Sequence, residues 1–132
     1  MPILLDTHAW IWWATNDARL SRKAAAAIEK AQSQVDVWLS LISIWEVAKK
    51  VEKQQLVLDR PLDQWLDAAT IIRGLHLWEL TRPILVQSCS LPGPFHVDPA
   101  DQLIVATARH HEAVLITKDE KIRSYPHVRT AW

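Results

Sequence analysis

The sequence predicts an α/β fold, a three-layer α/β/α sandwich around a mostly parallel central sheet. Three observations carry that prediction. Short apolar runs such as Ile3-Leu4-Leu5 and Ala113-Val114-Leu115-Ile116, the pattern of strands buried on both faces, alternate with stretches of helical period. Acidic residues follow several of those runs directly, where open parallel sheets place their ligands. With 132 residues, 49% hydrophobic and 23% charged, the chain has the length and apolar content for one domain, 1–132, with a substantial core.

Taken in order, Ile3-Leu4-Leu5 is the first strand. Asp6 ends it, and Thr7-His8-Ala9-Trp10 opens a helix with Trp10, Trp13 and Ala14 on one side. Asp6 is therefore a candidate ligand at a strand's carboxyl end; Asp6 or Thr7 also reads simply as a helix cap. Ser21 caps an Ala-rich helix through Lys30 that carries no obvious chemistry. Val35 to Leu39 reads as the second strand, and Ser40 begins a helix through Ile44, Trp45, Val47, Ala48 and Val51. Within it, Ser43-Ile44-Trp45-Glu46 matches a capping box, which gives Glu46 a structural reading. A helix starting at Ser40 instead puts Glu46 nearly two turns in and ends that role. Lys49, Lys50 and Lys53 form a basic run that reads as a solvated face.

Leu56-Val57-Leu58 reads as a short extended piece, and Asp59-Arg60-Pro61 turns into a helix with Leu62, Trp65, Leu66, Ala69 and Ile72 inward, stopped by Gly74. Leu75 to Leu80 suits a strand and Pro83 to Ser90 a helix; His76 and Glu79 read as packing or surface residues. After a loop at Ser90-Leu91-Pro92-Gly93-Pro94, Asp98 is a good N-cap and Pro99 fits the first helical position. That frame places Asp101 in the first turn, where free N–H groups and the helix dipole favour negative charge. His110 and His111 close this helix, where cations suit the dipole without any metal. Ala113 to Ile116 is a further strand, followed by Thr117-Lys118-Asp119-Glu120. Ile122 and Tyr125 suit a helical turn, and Val128 to Trp132 an edge strand.

Composition excludes several classes. Lys+Arg and Asp+Glu are both 15, so no global field steers the chain toward nucleic acid, and any such contact needs a local basic patch. One cysteine, Cys89, excludes an intrachain disulfide and a Cys-rich zinc site and suits a reducing, cytoplasmic setting. No run approaches the roughly 20 apolar residues of a membrane span, and the first residues lack a signal-peptide pattern. Two glycines, Gly74 and Gly93, cannot supply a Gly-rich phosphate loop or a dinucleotide fingerprint.

Asp6, Glu46, Asp101 and Asp119 each fall at a predicted strand's carboxyl end or at the helix start that follows. In a parallel sheet those ends lie along one edge, so residues distant in sequence converge. Two carboxylates about 4 Å apart repel by roughly 4 kcal/mol at an effective dielectric near 20. Either protons or a divalent cation must offset that, and oxygen-only ligands point to Mg²⁺ or Mn²⁺ rather than zinc. Such a cation suits phosphodiester hydrolysis by metal-activated water.

The chain also resembles the PIN-domain ribonucleases, and among them the VapC-type toxins of toxin–antitoxin pairs. The resemblance runs through Leu4-Leu5-Asp6-Thr7-His8, Ser40-Leu41-Ile42-Ser43-Ile44-Trp45-Glu46, His96-Val97-Asp98-Pro99-Ala100-Asp101 and Leu115-Ile116-Thr117-Lys118-Asp119. It implies a catalytic quartet of Asp6, Glu46, Asp101 and Asp119, with Asp6 and Asp101 as principal metal ligands and Asp98, Thr7 and Thr117 as accessories. It further implies a Mg²⁺-dependent endoribonuclease (Mn²⁺ as the alternative ion), a cognate antitoxin, a homodimer and an RNA substrate. Candidate phosphate contacts are Lys118, Lys121, Arg123, Arg109 and Lys49. One of Trp10, Trp12 and Trp13, which straddle more than one helix face, is expected on a surface that meets the antitoxin or a second protomer. Relatives usually carry arginine where Gln102 stands, which removes a cation near the acids. Two rival readings are a non-catalytic PIN-like module that binds RNA or protein, and an aspartyl phosphotransferase using Asp6. The second wants another Asp two residues on, where His8 stands.

Overall fold

A computed structural model describes residues 1–132. The elements are β1 (Ile3–Leu5), α1 (Thr7–Ala14), α2 (Arg22–Ser33), β2 (Val37–Ser40), α3 (Leu41–Glu52), α4 (Leu62–Thr70), β3 (Leu75–Trp78), α5 (Arg82–Ser88), α6 (Pro99–His110), β4 (Val114–Ile116), α7 (Glu120–Arg123) and β5 (Thr130–Ala131). The strands form one sheet in the order β3-β2-β1-β4-β5, and every neighbouring pair is parallel. The sheet is thus wholly rather than mostly parallel, with β1 and β2 starting level through the register Ile3 to Val37.

Strand alternation divides the core in two. Ile3, Leu5, Val37, Leu39 and Ile116 face a layer built by α1, α2, α4 and Val47 of α3. Leu4 and Leu115 face the other way, against Ile104, Val105 and Ala108 of α6, with Ile122 and Tyr125. α1 is short but buries Ala9, Trp10 and Ile11, and the Trp10 indole N–H donates to the Ala69 carbonyl at 2.8 Å, tying α1 to α4. On the edge side of the sheet, Trp38, Trp78 and His111 form a stack with centroid spacings of 4.3 and 3.9 Å. His111 therefore packs, as His76 does through Val35 and Trp38.

Several expected boundaries move. β2 begins at Val37, because Val35 turns the chain with φ at 57°. Leu56-Val57-Leu58 is irregular rather than extended in a sheet: Leu56 and Leu58 drop onto the core beside α3 while Val57 is 91% exposed, and no strand pairs with them. β3 ends at Trp78 and β5 contains two residues, since each extends only as far as its neighbour offers hydrogen bonds. No helix is long and apolar enough to cross a membrane.

Candidate active site

Parallel pairing puts all strand ends that lead into α1, α3 and α7 on one edge, and α6 begins there too. A cavity of about 500 Å³ opens at that edge, walled by Asp6, Glu46, Asp98, Asp101 and Asp119, together with Thr7, His8, Trp12, Lys50, Ile104 and Lys118. All four acids singled out from the sequence are brought together, and Asp98 joins them. Larger or comparable hollows elsewhere carry no such convergence of acids.

Capping and lining the cavity prove compatible. Asp6 Oδ1 accepts from the Ala9 N–H at 2.8 Å, Asp98 Oδ1 from Ala100 and Asp101, and Asp119 Oδ1 from Lys121. Each capping bond uses one oxygen, and a carboxylate has two. The choice between cap and ligand therefore dissolves for these residues. For Glu46 it resolves differently. Ser40 caps α3 by accepting from Ile42, so the Ser43 capping box does not form. Glu46 is free to meet Thr7, whose hydroxyl lies 2.5 Å from Glu46 Oε1 and 2.8 Å from Ser43 Oγ. Thr7 has one proton, and an ionised carboxylate can only accept, so Thr7 donates to Glu46 and Ser43 donates to Thr7. Ser43 and Thr7 are buried, so this relay holds Glu46 from a fixed base.

Electrostatically the cavity is short of positive charge. Burial pushes the Asp6 carboxyl up to about 6, against hydrogen bonds from Thr117, Ala9 and His8 that lower it and the Asp119 charge that raises it. Asp101 is pushed up to about 7, by burial first and then by Asp98, Asp119, Glu46 and Asp6. Glu46 is also raised by burial, with Thr7 and Lys50 opposing. His8 is lowered by burial and then by Lys50. Only Lys50 and Lys118 stand in the wall as full cations against five carboxylates.

Thr117 is buried, donates toward Asp6 and accepts the Asp119 N–H at 3.1 Å, so it links the two acids. Of the candidate phosphate contacts, Lys118 reaches the cavity. Lys49 pairs with Glu52, Arg123 pairs with Glu120, Lys121 is exposed beside the Asp119 cap, and Arg109 lies at the far end of α6 against the His127 carbonyl. Lys50 takes the place that Lys49 does not: it follows Glu46 by four residues, so it shares that helix face. That spacing was a usable signal.

His96 opens the stretch that carries the family resemblance but is not among the site residues the sequence points to. Its Nε2 lies 3.2 Å from Asp101 Oδ2, within ion-pair reach but not aligned as a hydrogen bond, and meets no other polar partner. The loop that brings it is fastened by Tyr125 Oη donating to the Pro92 carbonyl, by Phe95 packing on Tyr125, and by Gln102 Nε2 donating to the His96 carbonyl at 3.0 Å. Gln102 thus holds a loop instead of facing the acids.

The donor set fits a hard divalent cation: carboxylate oxygens on a rigid edge, two of them raised for want of a countercharge. The acids ring the cavity rather than closing on one point, and no three of them form a preassembled ligand cage.

A model of the PIN domain matches residues 3–128. Ribonuclease VapC22 of Mycobacterium tuberculosis is 36% identical over 132 residues, with 98% of each chain covered. Among solved structures, the fold is similar to the VapBC2 complex of Rickettsia felis bound to a promoter DNA fragment, at TM-score 0.69 and 17% identity, covering 99% of this chain and 98% of that one. It is also similar to a toxin–antitoxin complex from Klebsiella pneumoniae, at TM-score 0.66 and 23% identity over 98% of both chains. The five-stranded parallel sheet, the acids along its edge and the match over nearly the whole length lead to one conclusion: this chain belongs to the PIN-domain family.

Proposed function

We propose that this protein is an endoribonuclease that hydrolyses RNA phosphodiester bonds with Mg²⁺ or Mn²⁺, and that it is the toxin of a toxin–antitoxin pair held in check by a protein antitoxin. The observation that carries the reading is the single cavity into which five carboxylates from four separate stretches of chain converge, two of them raised well above the carboxylate range. The 36% identity to a named ribonuclease over the whole chain supports the substrate, and the solved toxin–antitoxin complexes of similar fold support the partner.

Asp6 and Asp101 are the residues to hold the cation, with Glu46 and Asp119 completing the set. A divalent cation bound there supplies charge neutralisation, an acidified water and stabilisation of the departing oxygen. The protein's own part is orientation and charge. Thr7 and Ser43 keep the Glu46 carboxylate turned toward the cavity, and Thr117 keeps Asp6 and Asp119 in fixed relation. Lys50 and Lys118 are placed to meet phosphate oxygens that the acids would otherwise repel. The one hydroxyl–carboxylate pair in the wall, Thr7 with Glu46, is a buried support tied to Ser43 rather than an exposed nucleophile, which favours direct attack by water over a protein-bound intermediate. The family's pairing into homodimers and a cytoplasmic site of action complete the reading.

The test is cleavage of a mixed RNA substrate by purified protein in Mg²⁺ or Mn²⁺. Cleavage that EDTA abolishes, and that Asp6→Asn and Asp101→Asn both lack, is the expected result. Undiminished cleavage by Asp6→Asn, with contaminating nuclease excluded, overturns the assignment. Growth arrest of a host by the wild type and not by Asp101→Asn tests the toxin role.

A further inference from the structure

The cavity has one aromatic wall, and no part of the hydrolysis uses it. Trp12 lies on the second turn of α1, half-buried, and its indole lines the same cavity as the five carboxylates. The Trp132 ring meets it edge-on at 5.8 Å, and His8 tilts against it at 5.7 Å, so the indole is braced from the protein side. Over the ring lie two cations on exposed side chains, the Arg19 guanidinium at 5.1 Å and the Lys118 ammonium at 5.8 Å. Asp17 orients the Arg19 group through two bonds, to Nε and to Nη2.

A pocket rich in carboxylates is a poor place to hold a polyanion by charge alone. Two lysines stand against five acids in the wall, and the chain as a whole has no net charge. Affinity for RNA must therefore come from contacts beside the reacting phosphate that do not depend on net field. Aromatic rings provide such a contact, because every nucleobase has a face that stacks on one. Duplex RNA hides those faces, whereas a single strand can turn a base out.

We propose that Trp12 is a stacking platform for one unpaired nucleobase next to the scissile phosphate: the base takes the indole face that the exposed Lys118 side chain covers in the free protein, and the displaced ammonium meets a neighbouring phosphate, while Arg19 stays paired with Asp17. This rests on the ribonuclease reading above and sharpens it: one position flanking the cut is read by its base face rather than by its hydrogen-bonding edge. The platform is sequence-tolerant, with a preference for purines, whose larger faces cover more of the indole.

The test uses a ten-nucleotide RNA that the wild type cleaves, taken from a random-sequence pool, and a set of copies each lacking the base at one position. For the wild type, removal of one base flanking the cut is expected to raise KM about tenfold, the scale of one base–aromatic stack, with kcat nearly kept. Trp12→Ala is expected to raise KM for the intact RNA by a similar factor and to become indifferent to that missing base. Trp12→Phe, which keeps a ring of smaller volume and guards against a fold defect in the Ala variant, is expected to restore most of the sensitivity. The proposal is overturned if the wild type tolerates every missing base, or if Trp12→Ala and wild type lose the same factor at the same position. That last result would leave Trp12 to a protein partner. A wild type that cuts no RNA in Mg²⁺ or Mn²⁺ refutes the ribonuclease reading and this proposal together; a wild type that cuts but ignores missing bases refutes only the platform.

Discussion

Asp101→Asn should make the metal-free protein more stable while removing its activity, and the size of the effect follows from the site. In the fold the Asp101 carboxyl is pushed up to about 7 by burial and by Asp98, Asp119, Glu46 and Asp6, whereas an exposed aspartate titrates near 3.8. A raised acid binds its proton more tightly when folded, so stability is lost as pH climbs from about 4 through about 7. Three pH units set a ceiling of ~4 kcal/mol on the strain that ionised Asp101 brings above neutrality. The side chain is 20% exposed, so little of this is screened by water. Two effects reduce it. Ionised carboxylates lean apart and relieve part of the repulsion, and the first turn of α6 favours a negative charge by about 0.3–1 kcal/mol. A gain of about 2 kcal/mol remains at pH 8, or ~7 °C in Tm for a chain of this length. Asn keeps the shape, and the Asp98 cap on the Asp101 N–H is untouched. The assay is thermal unfolding in EDTA at pH 5 and pH 8, with RNA cleavage measured in parallel. The Tm gap should be wide at pH 8 and close toward pH 5, where wild-type Asp101 carries its proton. An Asn variant no more stable than wild type at pH 8, or a gap independent of pH, would refute the reasoning.

Three further outcomes are expected. Thr7→Val leaves Glu46 and Ser43 without their shared partner, at a cost of about 1–3 kcal/mol, while Thr7→Ser retains the relay; thermal unfolding and cleavage rate distinguish the two. His96→Ala, and separately Gln102→Leu, free the loop end that braces Asp101, and each should weaken Mn²⁺ binding by about tenfold in calorimetric titration; an unchanged Kd in both would show that the brace is idle. Asp98→Ala and Asp98→Asn remove the same charge, but only the second keeps a capping oxygen for Ala100 and Asp101. The Ala variant should therefore unfold lower by about 1 kcal/mol than the Asn variant.

Much of the architecture is legible locally because its causes are local. Caps at Asp6, Ser21, Ser40 and Asp98, Pro99 at the first helical position, and the apolar runs ahead of Asp6 and Asp119 all follow from backbone chemistry within a few residues. The failures are also physical. Leu56-Val57-Leu58 has strand composition, yet a strand requires a partner edge, and the sheet offers none there. Lys49 and Lys50 look alike in sequence; the turn of α3 gives one to Glu52 and the other to the cavity.

By itself, then, the chain determines that acids stand at the ends of buried strands and at helix starts, since period, caps and turn residues act over a turn or two. The tertiary structure alone decides which of them meet and what stands beside them. Thr7 reaches Glu46 across 39 residues because β1 and β2 are neighbours, and Asp6 meets Thr117 because β4 flanks β1 on the other side. His96 comes to Asp101 because Tyr125 and Gln102 fasten its loop. Strand order sets these meetings, and it is chosen by the packing of the whole core rather than by any short stretch of sequence.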